Sequence, residues 1–240
     1  MSDVIRAERA LFCRAESAGV AASAAGVGGR FRTWRQGGLL AVSATEPRLA
    51  FLSTISGVTR GNMASVGGVL RSPAWDGVRP TVVAPAELAL GLVAAGERAL
   101  ATRRLDEPPA AASGVTDADD TFLDVLLAGY QVTGLIADYI RAEHGMSTVH
   151  RFFAVEDGTP IAAAAMTIHD DVAVLGGAST LPDHRGRGAQ TRLLAHRLRL
   201  ATEAGCTLAA ATARPGSVSA ANLERAGFTV HRRLAWTTAG

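Results

Sequence analysis

The residues best suited to chemistry form a short glycine-containing turn, Arg185-Gly186-Arg187-Gly188-Ala189-Gln190. The turn follows an apolar strand-like run and precedes a leucine-rich helix-like one. In such a turn the backbone N–H groups and the positive end of the helix dipole converge on one point, which suits a phosphate. Gly186 and Gly188 let the backbone approach closely, and Arg185 and Arg187 add charged donors. The pattern predicts a phosphate-binding turn, but turns of this kind also serve as plain connectors.

Composition excludes several other kinds of site. All 24 basic residues are Arg, so a Walker-type phosphate loop and Schiff-base chemistry on a Lys are excluded. The six His show no metal-ligand spacing, and Cys13 and Cys206 lie far apart in apolar settings, so no metal site is predicted. The run Gly26–Gly29 lacks the spacing of a dinucleotide-binding fingerprint.

Length and charge narrow the class of protein. The chain has 240 residues, of which 48% are hydrophobic and 19% charged, which predicts a globular protein of one or two domains. A net charge of +2 is too small to predict nucleic acid or an anionic membrane as partner. No apolar run approaches the roughly 18 residues of a membrane span. With few cysteines and no signal-peptide pattern at the N-terminus, we expect a cytoplasmic protein.

A proline-containing segment divides the chain into two halves. Pro108 and Pro109 resist helix and remove backbone donors, so residues 107–115 are predicted to be a linker between residues 1–106 and 116–240. In the first half the patterns predict a helix near 4–18, strands at 31–35, 39–43, 49–58 and 81–83, and a helix at 87–95.

The second half alternates helices and strands. The patterns predict two helices over 122–140 broken near Thr133-Gly134, a hairpin over 152–168, strands at 172–180, 206–212 and 228–236, and helices at 188–203 and 217–225. Arg192, Arg197 and Arg199 are expected to solvate an exposed face of the helix that follows the turn. This order predicts an α+β fold with a mixed sheet. A weak internal repeat near the ends of the two halves predicts a duplication.

With these elements in place, the second half resembles the GNAT superfamily of acetyl-CoA-dependent N-acetyltransferases. The resemblance covers about residues 116–237 and is carried by the runs Leu181–Gln190 and Ser219–Phe228. The positions that match the family pattern are Arg185, Gly188, Asn222, Gly227 and Phe228. Gln190 departs from the pattern, because the family usually has a small residue there.

The resemblance implies the GNAT acyl-CoA N-acyltransferase fold, in a tandem arrangement whose first copy is degenerate. The equivalent turn of the first half, Thr59–Ser65, has Met63 where a glycine is needed. The last strand also stands alone where the family commonly has two. The missing edge strand would come from the first half or from a partner subunit in a homodimer.

The resemblance also implies acetyl-CoA as cofactor and direct attack of a neutral amine on its thioester. A backbone N–H of the strand near Ser179 to Leu181 would polarise the thioester oxygen. The residues implied to bind the cofactor are Ser179, Thr180, Leu181, Arg185, Gly186, Arg187, Gly188, Ala189, Gln190 and Asn222. Contact of one or two of Arg192, Arg197 and Arg199 with the 3′-phosphate of coenzyme A is the alternative to an exposed position for these arginines.

The catalytic acid and base are less well defined. Many family members have a Tyr that protonates the leaving thiolate, at the position where this chain has Leu223. Ser219, one turn earlier on the same helix, is the weak substitute. Candidates for a general base are Glu143, His150, Glu156 and His184, with transfer of the proton through water as the alternative. Tyr130, Tyr139 and Trp236 are candidates for an acceptor pocket, although core packing is the favoured use of such side chains.

The expected function is therefore transfer of an acetyl group to an amine of a small molecule, with neither nucleic acid nor membrane as partner. Two alternatives stay open. A catalytically silent acyl-CoA-binding protein is favoured by Leu223, and a protein-directed acetyltransferase would need an open acidic groove.

Overall fold

A computed structural model describes residues 1–238, which form six α-helices and thirteen β-strands. The helices are α1 Asp3–Ala24, α2 Val66–Leu70, α3 Phe122–Tyr130, α4 Gly134–Gly145, α5 Ala189–Glu203 and α6 Val218–Arg225. The strands are β1 Phe31–Gln36, β2 Leu39–Ala44, β3 Thr54–Ser56, β4 Thr81–Pro85, β5 Val93–Glu97, β6 Ala99–Arg104, β7 Val115–Asp117, β8 His150–Glu156, β9 Thr159–His169, β10 Val172–Thr180, β11 Leu208–Ala213, β12 Thr229–His231 and β13 Arg233–Thr237. The predicted α+β class is confirmed.

The strands form two mixed sheets. The first sheet has the order β1-β2-β3-β4-β13-β5, and the second has the order β12-β6-β11-β10-β9-β8-β7. Only β3 with β4 and β10 with β11 pair in parallel among the described strands. Each parallel pair is joined by a crossover helix, α2 in the first sheet and α5 in the second, as parallel pairing requires.

The two sheets repeat one topology and exchange a strand. The run β1 to β4 corresponds in order and direction to the run β8 to β11. In the second sheet β6, from the first half, lies between β11 and β12. In the first sheet β13, from the second half, lies between β4 and β5. Each half thus contributes one interior strand to the sheet of the other half, and the edge next to β6 is β12 of the second half itself.

Helix α1 connects both sheets. Its N-terminal part packs on the second sheet through Ala7 and Ala10, and its C-terminal part packs between the first sheet and α4 through Ala18 and Ala22. At 22 residues the helix is about 33 Å long, which is enough to reach both. Small side chains on its buried face let it lie close to the strands.

The centre of the second sheet is covered on both faces. The buried residues of β9, β10 and β11 are mostly Ala and Val, as expected of strands with helices above and below. On one face α5 packs through Leu193, Leu194, Leu198 and Ala201, and on the other α3 packs through Phe122 and Leu126. The spacing of the α5 residues is that of one helical face.

Three sequence predictions are wrong in detail. The helix predicted at 87–95 does not form, because Gly91 has a φ of 65° and the following residues pair as β5 with β13. The strand predicted at 49–58 is a 3₁₀ turn, Pro47–Leu52, followed by the short β3. The strand predicted at 228–236 is divided at Arg232 into β12 and β13, which belong to different sheets. None of the described helices has the length and apolar character needed to cross a membrane.

Candidate functional site

The two central strands of the second sheet separate halfway along their length. β10 pairs with β11 only from Val172 to Leu175. At the same point the register between β10 and β9 shifts between Gly176 and Ala178, and Gly177 has a φ of 59°. We call the segment 176–178 the bulge. Bulges of this kind bend a strand away from its neighbour, and here a gap opens between β10 and β11.

The glycine turn, residues 185–190, lies at the end of β10 and starts α5. Gly186 and Gly188 both have a φ of 78°, and a Cβ at either position would meet no atom within 4 Å. Gly188 is the N-cap of α5, and no side chain of the described residues caps it. The first-turn N–H groups of α5 are therefore available, and they fit a pyrophosphate.

Arg185 and Gln190 brace the glycine turn against the rest of the domain. Arg185 donates through Nη2 to the Gly129 carbonyl (2.9 Å) and through Nε to the Thr180 carbonyl (3.3 Å). Gln190 donates through Nε2 to the Ser179 carbonyl (2.8 Å) and to Thr180 Oγ1 (3.1 Å). The Gln190 side chain thus points back to β10. The space above the turn therefore stays free, although Gln190 is larger than the small residue that the family usually has at this position.

Two other residues at the end of β10 are tied to neighbouring elements. Ser179 is buried, and its hydroxyl donates to the Leu126 carbonyl (2.8 Å). The Leu181 N–H donates to the Ile161 carbonyl (3.0 Å).

Glu156, at the end of β8, lies near three basic side chains beside the turn. Its carboxylate lies 3.4 Å from His184 Nδ1, 3.6 Å from Arg187 Nη1 and 4.0 Å from Arg192 Nη2. Arg187 is exposed on the surface of the turn. His150, another candidate base, is exposed at the start of β8.

A cleft of about 670 Å³ lies above the turn, and we call it the turn cleft. The turn lines one side of it and α6 lines the other, through Ser219 and Asn222. Asn222 Oδ1 accepts a hydrogen bond from Arg225 Nη2 (2.5 Å). Ser219 is exposed, whereas Leu223 is buried in the main core.

The turn cleft meets a second cavity of about 770 Å³ at the bulge, and we call this one the junction cavity. The two share six lining residues: Tyr130, Ala178, Leu194, Arg197, Ser219 and Leu223. The Ala178 N–H donates to the Tyr130 hydroxyl (2.9 Å). Burial raises the pKa of Tyr130, and the Glu143 carboxylate raises it further, whereas the hydrogen bond from the Ala178 N–H and the charges of Arg14 and Arg197 lower it; the net shift is a rise.

The other two aromatic candidates, Tyr139 and Trp236, lie in different parts of the structure. Tyr139 lines the junction cavity, and burial raises its pKa. Trp236 does not: the exchange of β13 carries it into the first sheet, where it packs against the core of the first half. Trp236 thus packs against a core, as the sequence favours, and does not line the junction cavity.

A buried ionic cluster holds the bulge from the α1 side. Arg14 Nε donates to Glu143 Oε1 (3.0 Å), and Arg14 Nη2 lies 3.2 Å from His144 Nε2. His144 Nδ1 donates to the Ile140 carbonyl (3.1 Å), so Nε2 accepts from Arg14 and the ring is neutral. Burial is the main reason that the pKa of His144 is lowered.

The glycines of the bulge make room for this cluster. A Cβ at Gly176 would collide with the Arg14 guanidinium, and one at Gly177 would collide with the His144 ring. The first half therefore contributes to the geometry of β10 through a residue of α1, a contact that no local sequence pattern announces.

Arg197 was expected on an exposed helix face, and this expectation is wrong. The residue is buried, with 4% of its surface exposed. The sequence did carry a signal, because Arg197 lies three residues after Leu194 and four before Ala201, both on the buried face of α5.

In the equivalent turn of the first half, the side chain of Asn62 forms hydrogen bonds with the surrounding backbone. Asn62 Oδ1 accepts from the Thr59 N–H (2.7 Å), and Asn62 Nδ2 donates to the Gly57 carbonyl (2.9 Å) and the Gly38 carbonyl (3.3 Å). The helix that follows, α2, has five residues. This turn therefore lacks the free N–H groups found at the start of α5.

Comparison with known proteins places these features in a family. The sequence model described as "Acetyltransferase (GNAT) family" matches residues 119–228. This part of the chain belongs to the GNAT acetyltransferase family. The match includes β10, the glycine turn, α5 and α6. GNAT enzymes transfer an acetyl group from acetyl-CoA to an amine, so residues 119–228 form an acetyltransferase domain by family.

Solved structures extend the likeness to most of the chain. A GCN5-related N-acetyltransferase from Kribbella flavida is 19% identical, with a TM-score of 0.59 over 93% of this chain and 96% of that one. A putative GNAT acetyltransferase from Novosphingobium aromaticivorans is 16% identical, with a TM-score of 0.57 over 93% and 96%. At these identities the likeness shows the GNAT fold.

A protein described as a tandem GNAT protein from the clavulanic acid biosynthesis pathway has the same fold. It is 17% identical, with a TM-score of 0.59 over 85% of this chain and 80% of that one. No curated protein sequence matches the chain significantly.

Proposed function

We propose that this protein is an acetyl-CoA-dependent N-acetyltransferase that acylates an amine of a small molecule. The observation that supports this best is the glycine turn at the uncapped start of α5, opening into a cleft that leads to the bulge of β10. The cofactor supplies an activated acetyl thioester, and the chain's own residues hold it, admit the amine and handle the protons.

In this proposal the turn from Arg185 to Gln190 binds the pyrophosphate through backbone N–H groups, with Arg185 and Gln190 holding the turn in shape. Ala189 is buried beneath it, and Asn222 faces it across the turn cleft. The segment of β10 from Ala178 to Thr180 lines the same cleft and is the place for the pantetheine arm, whereas Leu181 does not line it.

Tyr130 is our candidate for the proton donor in place of Leu223. Its hydroxyl already accepts from the Ala178 N–H, so its own proton is free to point into the cavity. Its raised pKa keeps it protonated at neutral pH, as a general acid requires.

Glu143 is our candidate for receiving the amine proton through water. It is the only acidic side chain among the described residues that line the junction cavity. The cavity also has three arginines, Arg14, Arg197 and Arg214. A net basic cavity favours a small molecule over a protein substrate that would need an acidic groove.

The test compares Gly188→Asp with Gly205→Asp. Both glycines have positive φ and open surroundings, and they lie at opposite ends of α5. We expect Gly188→Asp to weaken acetyl-CoA binding by about 100-fold or more, since its carboxylate takes the place of the pyrophosphate, and Gly205→Asp to leave it unchanged. Calorimetry measures both.

Thiol release from acetyl-CoA with a panel of amines then tests the reaction. Turnover with any amine supports the transferase. Binding without turnover on the whole panel would favour a silent acyl-CoA-binding protein, and equal binding by the two Asp variants would show that the turn is not the cofactor site.

A further inference from the structure

One buried charge near the bulge lacks a counter-charge. The described chain has three buried arginines, Arg14, Arg197 and Arg233. Arg14 pairs with Glu143 (3.0 Å), and Arg233 pairs with Glu8 (2.9 Å). Within residues 1–238 no carboxylate lies within 4 Å of Arg197, which donates only to the carbonyls of Leu193 (3.2 Å) and Ala165 (3.1 Å). Buried charges are normally paired, so the exception calls for a partner.

The surroundings of Arg197 are net positive. Arg14 and Arg197 bring two positive charges, and Glu143 brings one negative charge. His144 is neutral, and so is Tyr130 at neutral pH because its pKa is raised. Burial lowers the pKa of Arg197 to about 10, which still leaves the guanidinium charged.

The position of Arg197 excludes the cofactor pyrophosphate as its partner. Arg197 lies nine residues after Gly188 on the same helix, which is about 13 Å along the axis. It lines both the turn cleft and the junction cavity. It therefore stands where the two spaces meet, at the place where an acyl group and its acceptor would come together.

We infer that Arg197 binds a carboxylate of the substrate at this junction. The inference rests on the coenzyme A-dependent N-acyl transfer of the proposed function and narrows its reactants; a preference in the donor would replace acetyl by a dicarboxylic acyl group. One of the two reactants carries a free carboxylate, either a dicarboxylic acyl group on coenzyme A or an amino acid as acceptor. The apolar lining of the junction cavity, with Leu11, Phe51, Ile136 and Ile140, suits an acceptor with a hydrophobic side chain.

The hydrogen bond from Arg197 to the Ala165 carbonyl indicates that Arg197 also has a structural role. Ala165 pairs with Gly176 at the edge of the bulge, where the ladder is interrupted. A purely structural role would make every ligand bind more weakly when Arg197 is replaced. A role toward the negative charge that develops during transfer would lower turnover of every substrate without a preference in binding. Neither would distinguish carboxylates from neutral analogues.

The experiment measures binding by calorimetry in two arms. The donor arm compares acetyl-CoA with malonyl-CoA and succinyl-CoA. The acceptor arm compares hydrophobic L-amino acids with their amides, in the presence of coenzyme A. We expect the wild-type protein to prefer the carboxylated ligand about tenfold or more in one arm, and that arm identifies which reactant carries the carboxylate.

Variants then attribute the preference to Arg197. Arg197→Gln should remove it, weakening the carboxylated ligand about 10- to 100-fold with little change for its neutral partner. Arg197→Lys should restore part of it. Arg199→Gln is the matched control, since Arg199 lies on the same helix and pairs with Glu203 at the surface; it should keep the full preference.

The outcomes separate this inference from the proposed function. Wild-type protein that binds acetyl-CoA but shows no carboxylate preference in either arm overturns the inference alone, and this result does not depend on any variant folding. Equal weakening of charged and neutral ligands by Arg197→Gln also overturns it. Failure to bind any thioester overturns the proposed function.

Discussion

At the scale of single residues, the site brings together side chains that lie far apart in sequence. The Tyr130 hydroxyl meets the Ala178 N–H, 48 positions away, and Arg14 meets Glu143, 129 positions away. Both contacts lie at the bulge, where β10 turns away from β11. The proton donor that the family pattern led us to seek on α6 is therefore better sought at the end of α3.

Replacement of Tyr130 by Phe tests this assignment. Loss of the hydroxyl should lower kcat about 100-fold, the lower end of what a positioned general acid contributes, and should leave the Kd for acetyl-CoA within about twofold because the phenyl ring still fills the same space. Stopped-flow thiol detection and calorimetry give the two values.

Two further variants serve as comparisons. Tyr139→Phe makes the same chemical change in the same cavity, and Ser219→Ala removes the hydroxyl that the sequence pointed to. We expect each to keep most of the activity. If Ser219→Ala is the damaging change, or if Tyr130→Phe is as active as the wild type, the proton donor is not Tyr130.

At the scale of elements, β10 depends on two adjacent glycines for different reasons. Gly176 leaves space for the Arg14 guanidinium, and Gly177 combines a positive φ with close approach of the His144 ring. The second position therefore carries two constraints at once, which makes it the more sensitive of the two to any added side chain.

Gly177→Ala and Gly158→Ala form a matched pair that separates these constraints. Both residues have positive φ, 59° and 76°, but a Cβ at Gly158 would meet nothing within 4 Å. Backbone strain should cost each variant about 1 kcal/mol. Crowding of His144 should cost Gly177→Ala about 1–3 kcal/mol more. Urea unfolding measures the difference, and equal losses in the two variants would mean that His144 moves aside freely.

Elements with strong local signals were predictable from sequence. The break between α3 and α4, the hairpin of β8 and β9, and the glycine turn before α5 each follow from periodicity or turn residues. The helix expected at 87–95 failed because its Ala- and Leu-rich composition favours helix locally, whereas pairing with β13, which lies more than a hundred residues further along the chain, decides its structure.

The candidate site was likewise predictable only where its residues are close together in the sequence. The glycine turn is contiguous in sequence, so it could be found and its chemistry argued. The junction cavity could not, because its walls come from five helices, α1, α3, α4, α5 and α6, and from β10 and β11, and no spacing rule links them. Arg197 is an intermediate case. Its position on the buried face of α5 could be predicted from the helical spacing, but the absence of a carboxylate beside it could not.

At the scale of the whole molecule, the strand exchange joins the two halves. β6 forms six residue pairs with β11 and three with β12 inside the second sheet. β13 forms four pairs with β4 and four with β5 inside the first. The predicted boundary at 107–115 therefore marks a connection in the chain, while the hydrogen-bonded sheets extend across it. We expect the halves to fold as one cooperative unit.

A protease site inserted in the linker, within residues 107–115, tests this expectation. After cleavage the two fragments should stay together on size-exclusion chromatography, because separation would expose unpaired edges at β11 and β12 in one sheet and at β4 and β5 in the other. The second sheet would also lose its contacts with α1, whose Arg14 holds the bulge. The cut protein should therefore keep acetyl-CoA binding and unfold in a single urea transition, whereas residues 116–240 expressed alone should not bind acetyl-CoA.

Fragments that separate in native buffer, or a second half that binds acetyl-CoA alone as tightly as the intact chain, would show that the exchange does not hold the molecule together.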